Sequence, residues 1–237
     1  MTPEIAPECL RIASYNIRKA LGTDRRRNPD RILRVIASLH ADVVVLQEAD
    51  MRMGARPSAL NANTLRSMTG LHPVETPSAV SLGWHGNAVL VSERTVTTRV
   101  DHIDLPGIEP RGALVAHLEV AGRPLRVIAS HLGLLRPSRK EQLSALFAHL
   151  EQCPPCPTLI AGDLNEWSNK AGLGRLAKRF TIVAPGKTYH ARLPVASLDR
   201  MALDGKLEER QAGVVDNETT RRASDHLPIW VDIAHRE

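Results

Sequence analysis

Aromatic residues are scarce in this 237-residue chain: Phe, Trp and Tyr together make up 3% of it. Proteins that hold single-stranded nucleic acid usually stack its bases on aromatic side chains. The scarcity of such side chains therefore counts against extensive base stacking. The chain also lacks any run that approaches the roughly 20 apolar residues of a membrane-spanning helix. The sequence thus predicts no transmembrane segment.

Cysteine is scarce as well. The chain has three cysteines, an odd number that does not build a complete disulfide framework. Cys153 and Cys156 have the spacing of a redox pair in "CPPC", but they lie in a proline-rich connection. A reactive pair usually has its first cysteine at a helix N-terminus, so a redox function is disfavoured. The first residues, "MTPEIAPECL", show no signal peptide, and we expect a cytoplasmic protein.

Hydrophobic residues make up 43% of the chain, which is enough for a substantial core. The formal net charge is +5 and the sequence pI is about 9.4, with a concentration of arginine and lysine in segment 18–34. A basic protein favours an anionic partner, such as a phosphate ester, a nucleic acid or an acidic membrane surface. Peripheral contact with an anionic membrane is therefore an open expectation, and we expect a monomer.

Runs of strand length alternate with helical patterns along the chain. The helical patterns cover 29–40, 57–70, 138–151 and, as a helix or a looser turn, 168–180. The strand patterns cover 10–17, 41–48, 86–93, 95–103, 112–120, 123–132, 158–164, 195–203, 210–216 and 227–234, with a hairpin turn at Ala121-Gly122. This mixture predicts one α/β domain, 1–237, with a loose segment at 1–9. Its architecture is a four-layer α/β/β/α sandwich of two packed mixed β-sheets flanked by helices.

The stretch "AGDLNEW", residues 161–167, points to where the chemistry lies. An apolar run leads into Gly162, and Asp163 and Asn165 follow. We expect a buried strand that ends at Gly162, with the glycine keeping a turn tight. The two polar side chains would then lie together at the edge of the core, where binding and catalytic groups are usually found.

Several other predicted strands also end in polar residues. The full set is Asn16, Gln47, Glu48, His131, Asp163, Asn165, Asp199, Asp225 and His226. One such ending is ordinary for a turn, but a repeated pattern of Asn, Asp, Glu and His is not. We therefore predict that these side chains converge on one site.

The residue types in this set indicate the chemistry. The chain has neither a G-x-S-x-G nucleophile motif nor a phosphate-binding P-loop. Carboxylate and amide oxygens dominate, and these suit Mg²⁺ or Mn²⁺ better than Zn²⁺. His131 and His226 remain as acid–base groups. A hard cation, two imidazoles and nearby arginines together suit hydrolysis of a phosphate ester by water.

Six short blocks occur in a recognisable order: "SYN", "LQE", "ASHL", "GDLNEW", "SLDR" and "SDHLPI". In this order they resemble the signature of the endonuclease/exonuclease/phosphatase superfamily, which has the DNase I-like fold. The resemblance extends from Ile12 to Ile233. "YNIRKALG" and "LPVASLDRM" are similar to a bacterial branch whose physiological substrates are mostly unassigned. The resemblance implies a metal-dependent phosphoesterase, of phosphodiesterase, nuclease or headgroup type.

The resemblance also implies a metal site. Glu48 would be the principal Mg²⁺ ligand, and Asn16 and Asp225 would lie around the same ion or its waters. Mn²⁺ would be an acceptable substitute.

Further roles follow for the catalytic groups. Asp163 and Asn165 would orient the attacking water and hold a phosphate oxygen. His226, oriented by Asp199, would be a general base or a donor to the transition state. His131 would contact the phosphate or help to protonate the leaving oxygen.

Arg111, in "EPRGAL", lies where the resemblance implies a phosphate-binding arginine, although it could instead be solvated. The alternative for Asp199 is a surface ion pair with Arg200, which would contribute little. Trp84 is expected to pack at a strand start. His85 beside it is expected to have no special role, and the spacing of the other histidines outside the motifs, such as His117 and His149, does not recommend them as ligands.

Three functional alternatives remain open from the sequence. Nucleic acid and phospholipid or inositol headgroups are equally compatible as substrates. A catalytically silent scaffold that binds phosphate or a partner is a second reading, although no motif residue is missing. A Zn²⁺ hydrolase is disfavoured because the predicted ligands are oxygen-rich.

Overall fold

We describe a computed structural model of the chain over residues 9–52, 54–76, 80–168 and 173–236. The predicted loose segment, 1–9, falls outside the described residues except for Cys9, which precedes the first strand. The strands are β1 (Leu10–Asn16), β2 (Val43–Gln47), β3 (Leu71–Pro73), β4 (Ala88–Ser92), β5 (Thr95–Leu105), β6 (Arg111–Val120), β7 (Arg123–His131), β8 (Thr158–Asp163), β9 (Thr181–Val183), β10 (Asp199–Leu203), β11 (Leu207–Val214) and β12 (Ile229–His235). The helices are α1 (Pro29–Ser38), α2 (Ala62–Thr69), α3 (Arg136–Glu151), α4 (Gly174–Ala177) and α5 (Glu218–Ala223), with a short 3-10 turn at Arg18–Ala20.

The strands form two mixed sheets of six strands each. The first sheet has the order β11-β12-β1-β2-β4-β3, and the second has the order β5-β6-β7-β8-β10-β9. Each sheet has one parallel pair near its centre, β1 with β2 and β7 with β8. The predicted fold class is confirmed.

Three apolar clusters account for the layers. The inner cluster joins the two sheets, with Ile12 and Val45 packed in the same core as Leu114 and Val127. A second cluster packs helix α1 and its neighbours on the outer face of the first sheet. A third packs α3 and α4 on the outer face of the second sheet. Burial on both faces of each sheet explains why its central strands read as continuous apolar runs. Among the described residues, no helix is both long and apolar enough to cross a membrane.

Local sequence signals explain where most elements begin and end. Helix α1 begins at Pro29 after Asn28, whose side chain accepts a hydrogen bond from the Arg31 amide. Helix α2 ends at Gly70 in the left-handed conformation, as expected. Its start differs from the prediction at 57, because the Asn61 side chain caps the helix at the Thr64 amide. The short strands β3 and β9 were not predicted, since three residues are too few for a pattern.

The arrangement of strands brings one end of both sheets together. β1, β2, β7 and β8 run toward this end, so their final residues reach it. β10 and β12 are antiparallel to β8 and β1, so they begin there. This edge, where four strands end and two begin, is called the common edge below.

Gly162 corrects one detail of the sequence interpretation. It does not lie in a turn but inside β8, where it pairs with Ser130 on β7 and Arg200 on β10. Its φ is +150°, and a Cβ at this position would lie 1.8 Å from the Ser130 carbonyl oxygen. Only glycine allows the neighbouring backbone to approach this closely.

We expect Gly162→Ala to lower the free energy of unfolding by about 3 kcal/mol or more, because it adds both a backbone clash and conformational strain. Chemical denaturation would measure the change. Gly205→Ala is the matched control, since a Cβ there would meet nothing within 4 Å. The control should change stability by less than about 0.5 kcal/mol. Equal stability of the two variants would contradict this explanation of Gly162.

Candidate active site

Asp163 is the centre of a buried polar cluster at the common edge. It is the last residue of β8 and is 2% exposed. Its Oδ2 accepts a hydrogen bond of 3.1 Å from Asn16 Nδ2. The Nε2 atoms of His131 and His226 lie 3.3 Å and 3.7 Å from the same oxygen. Three other predicted site residues, drawn from both sheets, therefore surround one carboxylate oxygen of Asp163.

His226 connects Asp163 to Asp199. Its Nδ1 lies 2.8 Å from Asp199 Oδ2, and Asp199 is the register partner of Asp163 on β10. Asp199 is fully buried, and Arg200 instead donates to the carbonyl oxygens of Glu166 and Ser197. The alternative of a surface ion pair between Asp199 and Arg200 is therefore wrong.

This arrangement determines the charge of His226. Burial disfavours the imidazolium, but the carboxylates of Asp199, Asp163 and Asp225 outweigh burial and raise the pKa of His226 to about 10. Burial also raises the pKa of Asp163, to about 6, with Asp199 acting in the same direction. At neutral pH the pair thus consists of a protonated imidazole and a carboxylate close to its titration range.

His131 has the opposite character. Burial, and then the nearby Arg111 and the protonated His226, hold the pKa of His131 well below its ordinary value. It is therefore neutral at pH 7. The two histidines of the site carry different charges, so they are suited to different tasks.

Asn165 is held by the backbone around it. Its amide nitrogen donates to Asp163 Oδ1 at 3.0 Å, and its side-chain nitrogen donates to the Leu132 carbonyl oxygen at 2.8 Å. Its φ is +50°, a conformation that asparagine tolerates better than most residues. Asn165 thus lies beside Asp163, as predicted, in a fixed orientation.

The predicted metal ligands lie beside this cluster. Glu48 directly follows β2, and Asn16 ends the parallel strand β1. The Ser224 hydroxyl donates to the Asn16 carbonyl oxygen at 2.7 Å and lies 3.4 Å from Asp225 Oδ1. These contacts bring Asn16, Glu48 and Asp225 to one part of the common edge.

Cationic side chains balance the two carboxylates. Lys19 Nζ contacts Glu48 Oε2, and Arg18 Nε lies 3.2 Å from Asp225 Oδ2. Burial opposes ionisation of Glu48, but Lys19 and Arg52 outweigh it and lower the pKa of this carboxyl. All three predicted ligands offer hard oxygen donors in a place that already attracts positive charge. The donor set therefore fits Mg²⁺ or Mn²⁺.

Asp163, Asp199 and His226 form a second group that is compatible with a metal, since their nearest ligand atoms lie within 4.8 Å of one another. However, the His226 ring already lies between the two carboxylates and is hydrogen-bonded to one of them. We interpret this triad as a proton-holding unit and Glu48 as the centre of the metal site.

A cavity adjoins the metal ligands and contains three predicted residues, Glu48, Arg111 and His131. Arg111 is only 7% exposed and pairs with Glu109 at 2.9 Å, so it is not a solvated surface arginine. The sequence interpretation missed the rest of the wall, which consists of Lys19, Asp50, Arg52, Arg56, His85, Gly86, Glu109 and Pro110. These residues come from loops, whose courses no periodic pattern indicates.

His85 illustrates what was missed. Its ring lies 3.0 Å from Arg56 Nη1 and 3.1 Å from Asp104 Oδ1, so it fixes one side of the cavity. Trp84 beside it packs edge-on against this ring, as its expected packing role implies. Tyr189 was also missed. Its ring lies against His226, with the centroids 4.9 Å apart.

Comparison with known proteins agrees with this geometry. The sequence profile of the Endonuclease/Exonuclease/phosphatase family matches residues 13–226, most of the chain. The chain belongs to this family. Family members are mostly hydrolases of phosphoesters. The matched region ends at His226 and contains every predicted site residue.

Individual relatives extend the comparison. The uncharacterized protein YbhP of Escherichia coli K12 is 30% identical over 162 residues, which are 64% of this chain and 63% of YbhP. The aligned part thus spans less than two thirds of that curated relative. A Beutenbergia cavernae endonuclease/exonuclease/phosphatase structure has a TM-score of 0.73 at 23% identity and covers 96% of this chain and 72% of its own. The structure of D. rerio TDP2 complexed with single strand DNA product has a TM-score of 0.73 at 18% identity. The match covers 95% of this chain and 98% of the TDP2 chain. At this level of identity, these two structural similarities show a shared fold and no more.

Proposed function

We propose that the protein is a Mg²⁺-dependent hydrolase of phosphate esters. The observation that carries the proposal is the Asp163 carboxylate, which is held between Asn16, His131 and a protonated His226 beside a group of hard oxygen ligands. A silent scaffold would have no need of a buried histidine whose charge three aspartates maintain. That alternative is therefore the weaker one.

Glu48 would hold the metal, with Asn16 and Asp225 around it or its waters. When bound, Mg²⁺ neutralises charge on the phosphoryl oxygens. Lys19 contacts the Glu48 carboxylate and lies on the same cavity wall as Arg111. If Glu48 held the metal, the lysine ammonium would be free to bind the substrate phosphate.

The two titrating groups of the triad fit complementary proton roles. Asp163, with its pKa raised to about 6, accepts the proton of the attacking water near neutral pH. His226 is protonated, so it donates a charged hydrogen bond to a phosphoryl oxygen and is not the base. Neutral His131 and the Asn165 amide orient the phosphate. Arg111 compensates the negative charge of the phosphate.

The surroundings of the site favour an amphiphilic phosphodiester, such as an anionic phospholipid, as the substrate. Nine large hydrophobic side chains are exposed in the described part of the chain. Six of them lie within a few residues of a predicted site residue in the sequence. They are Ile108, Leu134, Leu135, Trp167, Leu193 and Val195, called the apolar rim below. Exposed Arg136 and Arg192 lie next to rim residues in sequence. Apolar side chains interleaved with cations suit an anionic membrane surface.

An aromatic series links this rim to the chemistry. The rings of Trp167 and Tyr189 are 6.2 Å apart, and Tyr189 packs on His226. A substrate that contacts exposed Trp167 thus lies near the catalytic imidazole. Nucleic acid, the ligand of the D. rerio relative, remains the competing substrate class because Trp167 could also stack on a base.

A substrate panel tests the proposal. We expect the protein with Mg²⁺ to hydrolyse anionic phospholipid vesicles faster than single-stranded DNA, duplex DNA or a soluble phosphomonoester. Removal of the metal by chelation should abolish the activity, and Mg²⁺ or Mn²⁺ should restore it. Leu193→Ser should lower the rate on vesicles several-fold but leave the rate on a soluble short-chain phosphodiester unchanged, because this side chain is 76% exposed on the rim.

The outcomes separate the two parts of the proposal. Mg²⁺-dependent activity on DNA alone would support the hydrolase and overturn the lipid substrate. An equal effect of Leu193→Ser on vesicles and soluble substrate would overturn the role of the rim. Failure on every substrate with both metals would overturn the phosphoesterase function itself.

A further inference from the structure

A second cluster of metal-binding side chains lies away from the active site. Helix α3 packs on the outer face of the second sheet and contacts its edge strand, β5. At this place four half-buried side chains meet: Asp101, His117, His149 and Cys153. None of them belongs to the active site or its cavity.

The strand register explains why two of these residues are neighbours. Arg99 on β5 is the partner of His117 on β6, and Asp101 lies two residues further along β5. The three side chains therefore share one face of the sheet, since side chains alternate along a strand. This is the face that carries Ile103 and Val115, which belong to the apolar cluster around α3. These three polar side chains thus lie beside the apolar contact between α3 and the second sheet.

The helix end supplies the other two residues. His149 lies in the last turn of α3. Cys153 comes four residues after His149, just past the end of the helix. The Cys153 amide donates to the Leu150 carbonyl oxygen at 3.1 Å, so the chain is still turning at this point. A spacing of four residues across a helical turn puts two side chains on one side of it.

Three of these groups lie close enough together to approach a coordination shell, and the fourth contacts one of them. His117 Nε2 lies 3.1 Å from Asp101 Oδ2, and His149 Nε2 lies 3.5 Å from the same oxygen. The ligand atoms of Asp101, His149 and Cys153 all lie within 4.8 Å of one another. Ligands at about 2.0–2.3 Å from a tetrahedral Zn²⁺ are separated by roughly 3.3–3.8 Å. His117 contacts Asp101 but does not belong to this group of three, so its side chain would have to turn toward His149 and Cys153 to complete the shell.

Two further observations favour a metal site over a simple ion pair. His149 Nε2 is buried and has no hydrogen-bond partner among the described residues, although it points to the carboxylate. Arg99 Nε holds the other carboxylate oxygen, Asp101 Oδ1, at 2.7 Å. Such a hydrogen bond to a ligating carboxylate is typical of the partners that orient metal ligands.

We infer that Asp101, His117, His149 and Cys153 form a structural Zn²⁺ site that fastens the end of α3 to the second sheet. Imidazole, thiolate and carboxylate groups are all Zn²⁺ ligands, and four protein ligands would close the shell. The Cys153 thiol releases its proton to solvent when the metal binds. The site would be structural because no position is left for a substrate or a reactive water.

Cobalt is the most direct probe, since Co²⁺ replaces Zn²⁺ and reports its ligands by absorption. We expect the full-length chain, freed of metal by chelation, to bind one Co²⁺ with thiolate-to-cobalt charge-transfer absorption and the intense visible bands of a tetrahedral site. Zn²⁺ should displace the cobalt and remove these bands. The described part of the active site contains no cysteine, so Co²⁺ bound there would not give the thiolate absorption.

Matched cysteine variants assign the ligand. Cys153→Ser should lose the charge-transfer absorption and lower Zn²⁺ affinity by about 100-fold or more, because loss of a partner behind a ligand alone costs roughly 10–100-fold. Cys156→Ser, with the same chemical change three residues away, should behave as the wild type. Both variants should keep wild-type phosphoesterase activity with Mg²⁺.

A thermal measurement completes the test. Zn²⁺ at about 100 times its Kd should raise the Tm of the wild type by roughly 5–10 °C, and it should not raise the Tm of Cys153→Ser. Absence of thiolate absorption in the wild type would overturn the inference. So would an unchanged spectrum in Cys153→Ser, or its loss in Cys156→Ser.

Discussion

Glu48→Gln is expected to lower kcat/KM by at least about 10³-fold at a Mg²⁺ concentration that saturates the wild type. A metal ion contributes several kcal/mol to stabilising a phosphoryl transition state, and each 1.36 kcal/mol corresponds to a factor of ten. The amide keeps the shape of the side chain but removes the charge that binds the cation and Lys19. Calorimetric titration should show weakened Mg²⁺ binding in the same variant.

The control for this prediction is Glu119→Gln, the same chemical change at an exposed position on β6. It should leave both activity and metal affinity unchanged. Partial recovery of Glu48→Gln at high Mg²⁺ would support a role in metal binding. Wild-type activity in Glu48→Gln would contradict the assignment of the metal site.

His226→Gln is expected to lower kcat by about 10²–10³-fold, the usual cost of removing one preorganised donor to a transition-state oxygen. The protonated imidazole also determines how the rate depends on pH. The wild-type rate should rise with pH as Asp163 ionises near its pKa of about 6 and fall as His226 loses its proton near its pKa of about 10. His226→Gln should keep the first of these limbs and lose the second.

Asp199→Asn provides the matched test of the same triad. Asp199 contributes most to raising the pKa of His226 against the opposing effect of burial. Its replacement by an amide should therefore move the alkaline limb to lower pH while the imidazole stays in place. Because Asp199 and His226 act as a unit, the double variant should be little slower than His226→Gln alone. An alkaline limb that does not move in Asp199→Asn would refute the proposed charge state of His226.

The convergence of the triad residues and of the proposed metal ligands could be predicted from the sequence for a definite reason. They end or begin strands, and strand patterns show where each apolar run stops. Parallel pairing then brings Asn16 next to the residues that follow β2, and antiparallel pairing places Asp199 opposite Asp163. Convergence of these side chains follows from such pairing, so it needed no knowledge of the loops.

Other features could not be predicted in the same way. Gly162 appeared to end a strand, but its real constraint is the Ser130 backbone on a strand from another part of the sequence. His117 and His149 have no ligand spacing in the sequence, because their proximity depends on how α3 lies across the second sheet. Composition gave a low aromatic count but could not indicate that Trp167 is exposed beside the active site.

The common edge has a consequence for the evolution and engineering of this protein. Asn16 belongs to one sheet and Asp163 to the other, yet a single hydrogen bond of 3.1 Å joins them. The spacing between the sheets is therefore also a distance between reacting groups. A substitution in the inner core that shifts one sheet by a fraction of an ångström would reduce turnover while the protein remains folded. Under the proposed function, catalysis would therefore depend also on buried side chains of the inner core, such as Val45 and Leu114, that do not meet a substrate.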